Sequence, residues 1–147
     1  MKLTPGSTPA SATHSSLLAA AVALLSQAIP GLLAIYRFGS YGTAQERIDS
    51  DIDLAILATQ PVKSVQRWEL AQQLAGLFGR DVDLVDLGAS TAVLRAQVIS
   101  NGERLYCADP ARCGTFEDFA YTDYARLNEE RREILADIQE RGSVYGR

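Results

Sequence analysis

The stretch that most constrains this chain is Gly39-Ser40, followed after ten intervening residues by Asp51-Ile52-Asp53. The apolar run Leu32-Leu33-Ala34-Ile35-Tyr36-Arg37-Phe38 leads into the Gly-Ser pair and predicts a strand. Glycine at its end permits a tight turn and brings backbone close to a ligand. The segment from Asp51 to Leu57 predicts a second strand. Strand side chains alternate, so Asp51 and Asp53 point the same way, while Ile52, Leu54 and Ile56 point the other. Two carboxylates on one face repel each other unless a cation sits between them. Carboxylate oxygens suit Mg²⁺ held together with substrate phosphates.

Later segments predict the rest of a small α/β domain. Leu17, Leu18, Ala21, Leu24, Leu25, Ala28 and Ile29 fall on one helical stripe, and Pro30-Gly31 ends it. Residues 1–15 read as a polar tail, and 16–147 as one domain. Tyr41 to Ser50 is expected to include a short helix leaving the Gly-Ser turn. Ser64 is a candidate cap for a helix through Phe78, with Leu70, Leu74, Leu77 and Phe78 on one stripe and Gly79 as its stop. Trp68 is expected in the core or at an interface.

Arg80 to Leu87 predicts a third strand, on which Asp81 and Asp83 share a face. Either could supply the third carboxylate of a two-metal site. Ser90 or Thr91 can cap a short helix through Ile99. Asn101-Gly102 turns into an edge strand at Glu103–Tyr106, and Asp109-Pro110 opens a loop. Thr115 is expected to cap a final helix reaching about Glu140. Alternation of helices and strands in this order predicts a sheet with helices packed on it.

Composition fits one soluble domain. At 147 residues the chain can bury a real core, with 47% hydrophobic and 22% charged residues. A net charge of −4 argues against an extended phosphate-backbone surface, so no direct nucleic-acid binding is expected. The apolar run near Leu17–Leu25 lacks the basic start of a signal peptide and is too short to span a membrane. Two cysteines and one histidine cannot make a four-ligand zinc site, and reduced thiols in a cytoplasmic protein are expected.

The stretch FGSYGTAQERIDSDIDLAIL resembles the nucleotidyltransferases of the polymerase-beta superfamily. With RDVDLVDL, GERLY and YARLNEERREILADIQERG, the chain looks most like their smallest branch, the minimal nucleotidyltransferase (MNT) antitoxins paired with HEPN ribonuclease toxins. The resemblance implies a polymerase-beta-like α+β fold with a small mixed sheet, and favours Asp83 over Asp81 as the third acid. It also implies transfer of AMP from ATP to a tyrosine hydroxyl of a HEPN toxin, in a hetero-oligomer with that toxin. In this reading Asp51, Asp53 and Asp83 hold Mg²⁺, and Asp83 helps to deprotonate the acceptor. Gly39 and Ser40 cradle the β- and γ-phosphates, and Arg47 screens their charge.

Rival readings are narrower. Asp49-x-Asp51-x-Asp53 copies the start of a calcium loop, but Leu54 stands where glycine is needed and Gln60 where the bidentate glutamate belongs. Gly39-Ser40-Tyr41-Gly42 lacks the Lys-Ser/Thr end of a P-loop. His14 reads as a surface residue of the tail. Glu129-Glu130-Arg131-Arg132-Glu133 reads as a solvated helix face or a partner surface. A small-molecule acceptor, as in aminoglycoside nucleotidyltransferases, usually requires a further helical domain that this length does not supply. Neutralisation by stoichiometric binding alone is the non-catalytic alternative.

Overall fold

The computed structural model describes residues 9–41, 43–47 and 50–145. The elements run α1 (Pro9–Ala28), β1 (Leu32–Phe38), β2 (Ile52–Ala58), α2 (Ser64–Phe78), β3 (Val82–Asp86), a single 3₁₀ turn (Leu87–Ala89), α3 (Ala92–Asn101), β4 (Glu103–Cys107) and α4 (Pro110–Tyr145). One four-stranded mixed sheet has the order β3-β2-β1-β4. β1 runs antiparallel to both β2 and β4, whereas β2 and β3 are parallel. A parallel pair needs a crossover connection, and α2 provides it.

Period-two alternation along the strands builds two cores. Ile35 of β1 and Ile52, Leu54 and Ile56 of β2 point to one face, where Ala21, Leu25 and Ile29 of α1 and Leu70 and Leu74 of α2 cover them. Ala34, Tyr36, Ala55 and Leu57 point to the other face, closed by Val98 of α3 and by Cys113 and Phe116 of α4. The face bearing the acids is therefore not an open cleft along its whole length. α3 and α4 cover it from Ala55 onward, and only the end carrying Asp51 and Asp53 reaches solvent.

Local signals explain most boundaries. Thr91 caps α3, its hydroxyl accepting from the Leu94 N–H at 3.2 Å. Gly79 ends α2 in the left-handed region, at φ 71°. Lys63 rather than Ser64 occupies the capping position of α2, without a side-chain hydrogen bond. Two helices begin earlier than expected. α1 starts at Pro9, within the segment read as a tail, and α4 starts at Pro110, where a loop was expected. Proline lacks an N–H and has φ preset for a helix, so at the first helical position it starts a helix as readily as it breaks one. Asp109 supports the second start, since its carboxylate accepts from the Arg112 N–H at 3.3 Å. Thr115 is a mid-helix residue bonded back to the Ala111 carbonyl.

Candidate active site

Gly39 follows β1 with φ 76°, a conformation that glycine adopts without the steric penalty of a side chain. A Cβ at this position would lie 2.2 Å from Asp53 Oδ2 and 3.1 Å from its carboxyl carbon. The backbone of the Gly-Ser turn thus lies directly against the second acid of the Asp-x-Asp pair. Ser40 then starts a tight turn, its carbonyl accepting from the N–H (3.0 Å) and the hydroxyl (2.6 Å) of Thr43.

β-register brings the third acid in. Asp53 and Asp83 are direct partners across the parallel β2–β3 pair. Asp81 lies just before β3, where its carbonyl accepts from the Ile52 N–H at 2.9 Å. Burial pushes the Asp53 carboxyl above the usual carboxylate range, and the charges of Asp83 and then Asp51 raise it further. Asp83, rather than Asp81, is therefore the neighbouring-strand acid coupled to Asp53. Asp86, at the far end of β3, is 3% exposed and has a structural role. Its carboxylate accepts from the N–H groups of Val62 (3.1 Å) and Gly88 (3.0 Å), tying the loop before α2 to the end of β3.

The donor set suits a divalent cation shared with phosphates. Among the described residues, no group of three or more acidic, histidine or cysteine side chains is placed to hold a metal ion by itself. Mg²⁺ is commonly held by one or two carboxylates plus phosphate oxygens, so it does not need a complete cage of protein ligands. The chemistry of the acids and the clear backbone approach at Gly39 fit that mode.

The loop between β1 and β2 is fastened by residues that periodicity did not single out. Arg37 donates to the carbonyls of Gly39 (3.3 Å) and Tyr41 (3.0 Å), and its Nε lies 3.6 Å from Glu103 of β4. Tyr41 is buried, edge-on to His14 (4.6 Å) and Phe78 (5.5 Å), with the Arg80 guanidinium 4.9 Å above its ring. Arg80 pairs with Glu46 at 2.8 Å, and His14 lies 3.4 Å from the same carboxylate. His14 is thus a packed residue of α1 against the loop. The one sequence signal was an aromatic residue placed in a polar loop. Arg47 is exposed, its N–H donating to Ser50 Oγ at 3.3 Å. Successive turns close from Ser40 to Thr43, Thr43 to Glu46 and Arg47 to Ser50, and the described residues of this loop contain no helix. Gly42 and Asp49 lie outside the described residues.

A Gly-Ser turn packed against paired acids, with a third acid in register on the next strand, is the arrangement that the sequence resemblance to nucleotidyltransferases leads one to expect. Consistent with it, the Polymerase beta, Nucleotidyltransferase family model matches residues 23–111, and the chain belongs to that family. It is 41% identical over 123 residues to the protein adenylyltransferase MntA of Shewanella oneidensis, covering 80% of this chain and 84% of that protein. Two solved structures are also similar. One is a complex of a tri-AMPylated Shewanella oneidensis HEPN toxin with its MNT antitoxin, at TM-score 0.73 and 36% identity over 86% of this chain and 98% of the matched chain. The other is a toxin–antitoxin complex with AMP-PNP, at TM-score 0.74 and 38% identity over 83% and 98%. Among the described residues, no helix is long and apolar enough to cross a membrane.

Proposed function

We propose that this protein is the antitoxin of a HEPN toxin–antitoxin pair and silences its toxin by transferring AMP from ATP to a tyrosine hydroxyl. The observation that carries this reading is the convergence of Gly39, Asp53 and Asp83, with Asp51 beside them. The similarity to an MNT antitoxin complexed with an AMPylated HEPN toxin supports the choice of acceptor. A hetero-oligomer with the toxin, acting in the cytoplasm, follows from the same reading.

In the reaction the tyrosine oxygen attacks the α-phosphorus of ATP, the bond to the β-phosphate oxygen breaks, and pyrophosphate leaves. Asp51, Asp53 and Asp83 would hold Mg²⁺, which when bound neutralises charge on the entering and leaving oxygens. Asp83, solvent-exposed at the end of the sheet, receives the hydroxyl proton. Gly39 and Ser40 bring backbone N–H groups and a hydroxyl to the β- and γ-phosphates, and Arg47 screens their charge.

The test is transfer of α-labelled ATP, with Mg²⁺, onto the purified cognate HEPN toxin. Label on the toxin with the wild type, and none with Asp53→Ala, is the expected result. An unlabelled toxin that is nevertheless silenced would replace this reading with neutralisation by occupancy.

A further inference from the structure

A cavity of about 440 Å³ lies between α2 and the outer edge of β3, and Asp83 is one of its walls. Ser64, Arg67, Trp68, Ala71 and Gln72 line it from α2, a single i, i+3/i+4, i+7/i+8 stripe. That stripe is distinct from the one carrying Leu70 and Leu74, which packs into the core. Trp68 is 64% exposed, although tryptophan ordinarily buries much of its large apolar surface. β3 is the last strand of the sheet, so among the described residues no strand pairs with the side of its backbone away from β2. An exposed aromatic ring, a cation and an amide thus flank, from the α2 side, the open strand edge on which Asp83 sits, while the Asp83 side chain shares the sheet face of Asp53.

We infer that this cavity receives the acceptor: an extended polypeptide segment of the partner protein that lies along β3 and delivers its tyrosine hydroxyl to Asp83. The inference rests on the proposed reaction and adds where its second substrate binds. Asp83 joins this edge to the candidate site, and as the acid proposed to take the acceptor's proton it favours the molecule carrying the attacking hydroxyl as occupant. Peptides pair readily with open strand edges, and their side chains then point alternately into flanking pockets. An exposed indole offers a flat face to an aromatic or aliphatic residue of such a segment. Trp68 and Arg67 are positioning residues in this scheme and do not touch the phosphates.

Trp68 is the only tryptophan in the chain, so its emission reports on the cavity directly. Titrating wild type with the cognate HEPN toxin in EDTA should change emission beyond a Trp68→Phe control, whereas AMP-PNP with Mg²⁺ should leave it unchanged. Trp68→Ala should weaken toxin binding and raise the KM for toxin about tenfold or more, the scale expected of an aromatic anchor. Its affinity for AMP-PNP should stay within about twofold of wild type, and Trp68→Phe should recover most of the toxin affinity. Wild-type toxin affinity in Trp68→Ala would overturn the inference. A loss of AMP-PNP binding would do so too, by giving the cavity to the nucleotide. Failure of the proposed reaction is distinguishable, because wild type would then bind toxin without labelling it and the EDTA titration would still test the surface.

Discussion

Neutralising Asp53 should remove activity and at the same time stabilise the protein without metal. Its carboxyl is partly buried and faces Asp83 across the strands, with Asp51 two residues away on the same face. Neighbouring strands lie about 5 Å apart, and two charges about 6 Å apart at an effective dielectric near 60 repel by about 1 kcal/mol. Solvent screening at this open end of the sheet holds the total near that figure. For an acid whose folded pKa is raised, the charged form costs the folded state. The penalty is absent below the unfolded value near 4, grows as pH rises through the raised folded value, and is complete above it. Asp53→Asn at pH 7.5 in EDTA should therefore unfold about 2–4 °C higher than wild type, the shift that 1 kcal/mol gives a domain of this size. The difference should vanish toward pH 4. Transfer of labelled AMP should fall by at least about 100-fold, since the asparagine amide replaces a charged oxygen proposed to hold Mg²⁺. Mg²⁺ with AMP-PNP should stabilise wild type far more than the variant. Thermal melts across pH and a label-transfer assay check all of this together. A variant less stable than wild type in EDTA at pH 7.5 would refute the electrostatic account, and one that transfers normally would refute the site.

Gly39→Ala meets the same carboxylate from the other side. The added methyl collides with Asp53 Oδ2, which can swing away, and the positive φ costs about 1–2 kcal/mol. Transfer should fall at least about tenfold, out of proportion to a small loss in melting temperature, because displacement of Asp53 is the larger consequence. The cysteines offer a chemical check on the second core. Cys113 is fully buried, its thiol pushed up to about 11 by burial first and then by Cys107, whose sulfur lies 3.1 Å away. Iodoacetamide at pH 8, followed by mass spectrometry, should label Cys107 well before Cys113. Equal rates would show that α4 opens readily over the sheet.

Much of the sheet was legible because its signals are local. β1 and α2 fall where periodicity and the Gly79 stop predict them, and β2 and β3 lie within a residue or two of their expected bounds. Asp51 and Asp53 shared a face by alternation alone. The choice between Asp81 and Asp83 was not local, because both share that face on one strand. Parallel register against β2 distinguishes them, and register depends on the pairing of distant segments. The fastening of the loop was illegible for the same reason: Tyr41, Arg80, Glu46 and His14 come from four separate stretches. The starts of α1 and α4 were obscured differently, since Pro9 and Pro110 carry the same letter whether they begin a helix or interrupt one. Trp68 stands largely in solvent, which rules out the core of its two expected places and leaves the interface.

The open edge of β3 also bears on the protein's colloidal behaviour. An unpaired strand invites a second copy to extend the sheet, and natural proteins discourage this with short edges and charged side chains. β3 has five residues, and the exposed acids Asp81 and Asp83 stand at its start, toward the end of the sheet that bears Asp53. The carboxylate proposed to take the acceptor's proton is thus also one of the charges on this edge, the kind of residue that discourages edge-to-edge pairing. Replacing Asp83 with an uncharged residue removes both roles at once, so a preparation of Asp83→Asn could lose activity through aggregation alone. Asp83→Glu keeps the edge charged while moving the carboxylate outward by one methylene, which separates lost chemistry from lost solubility.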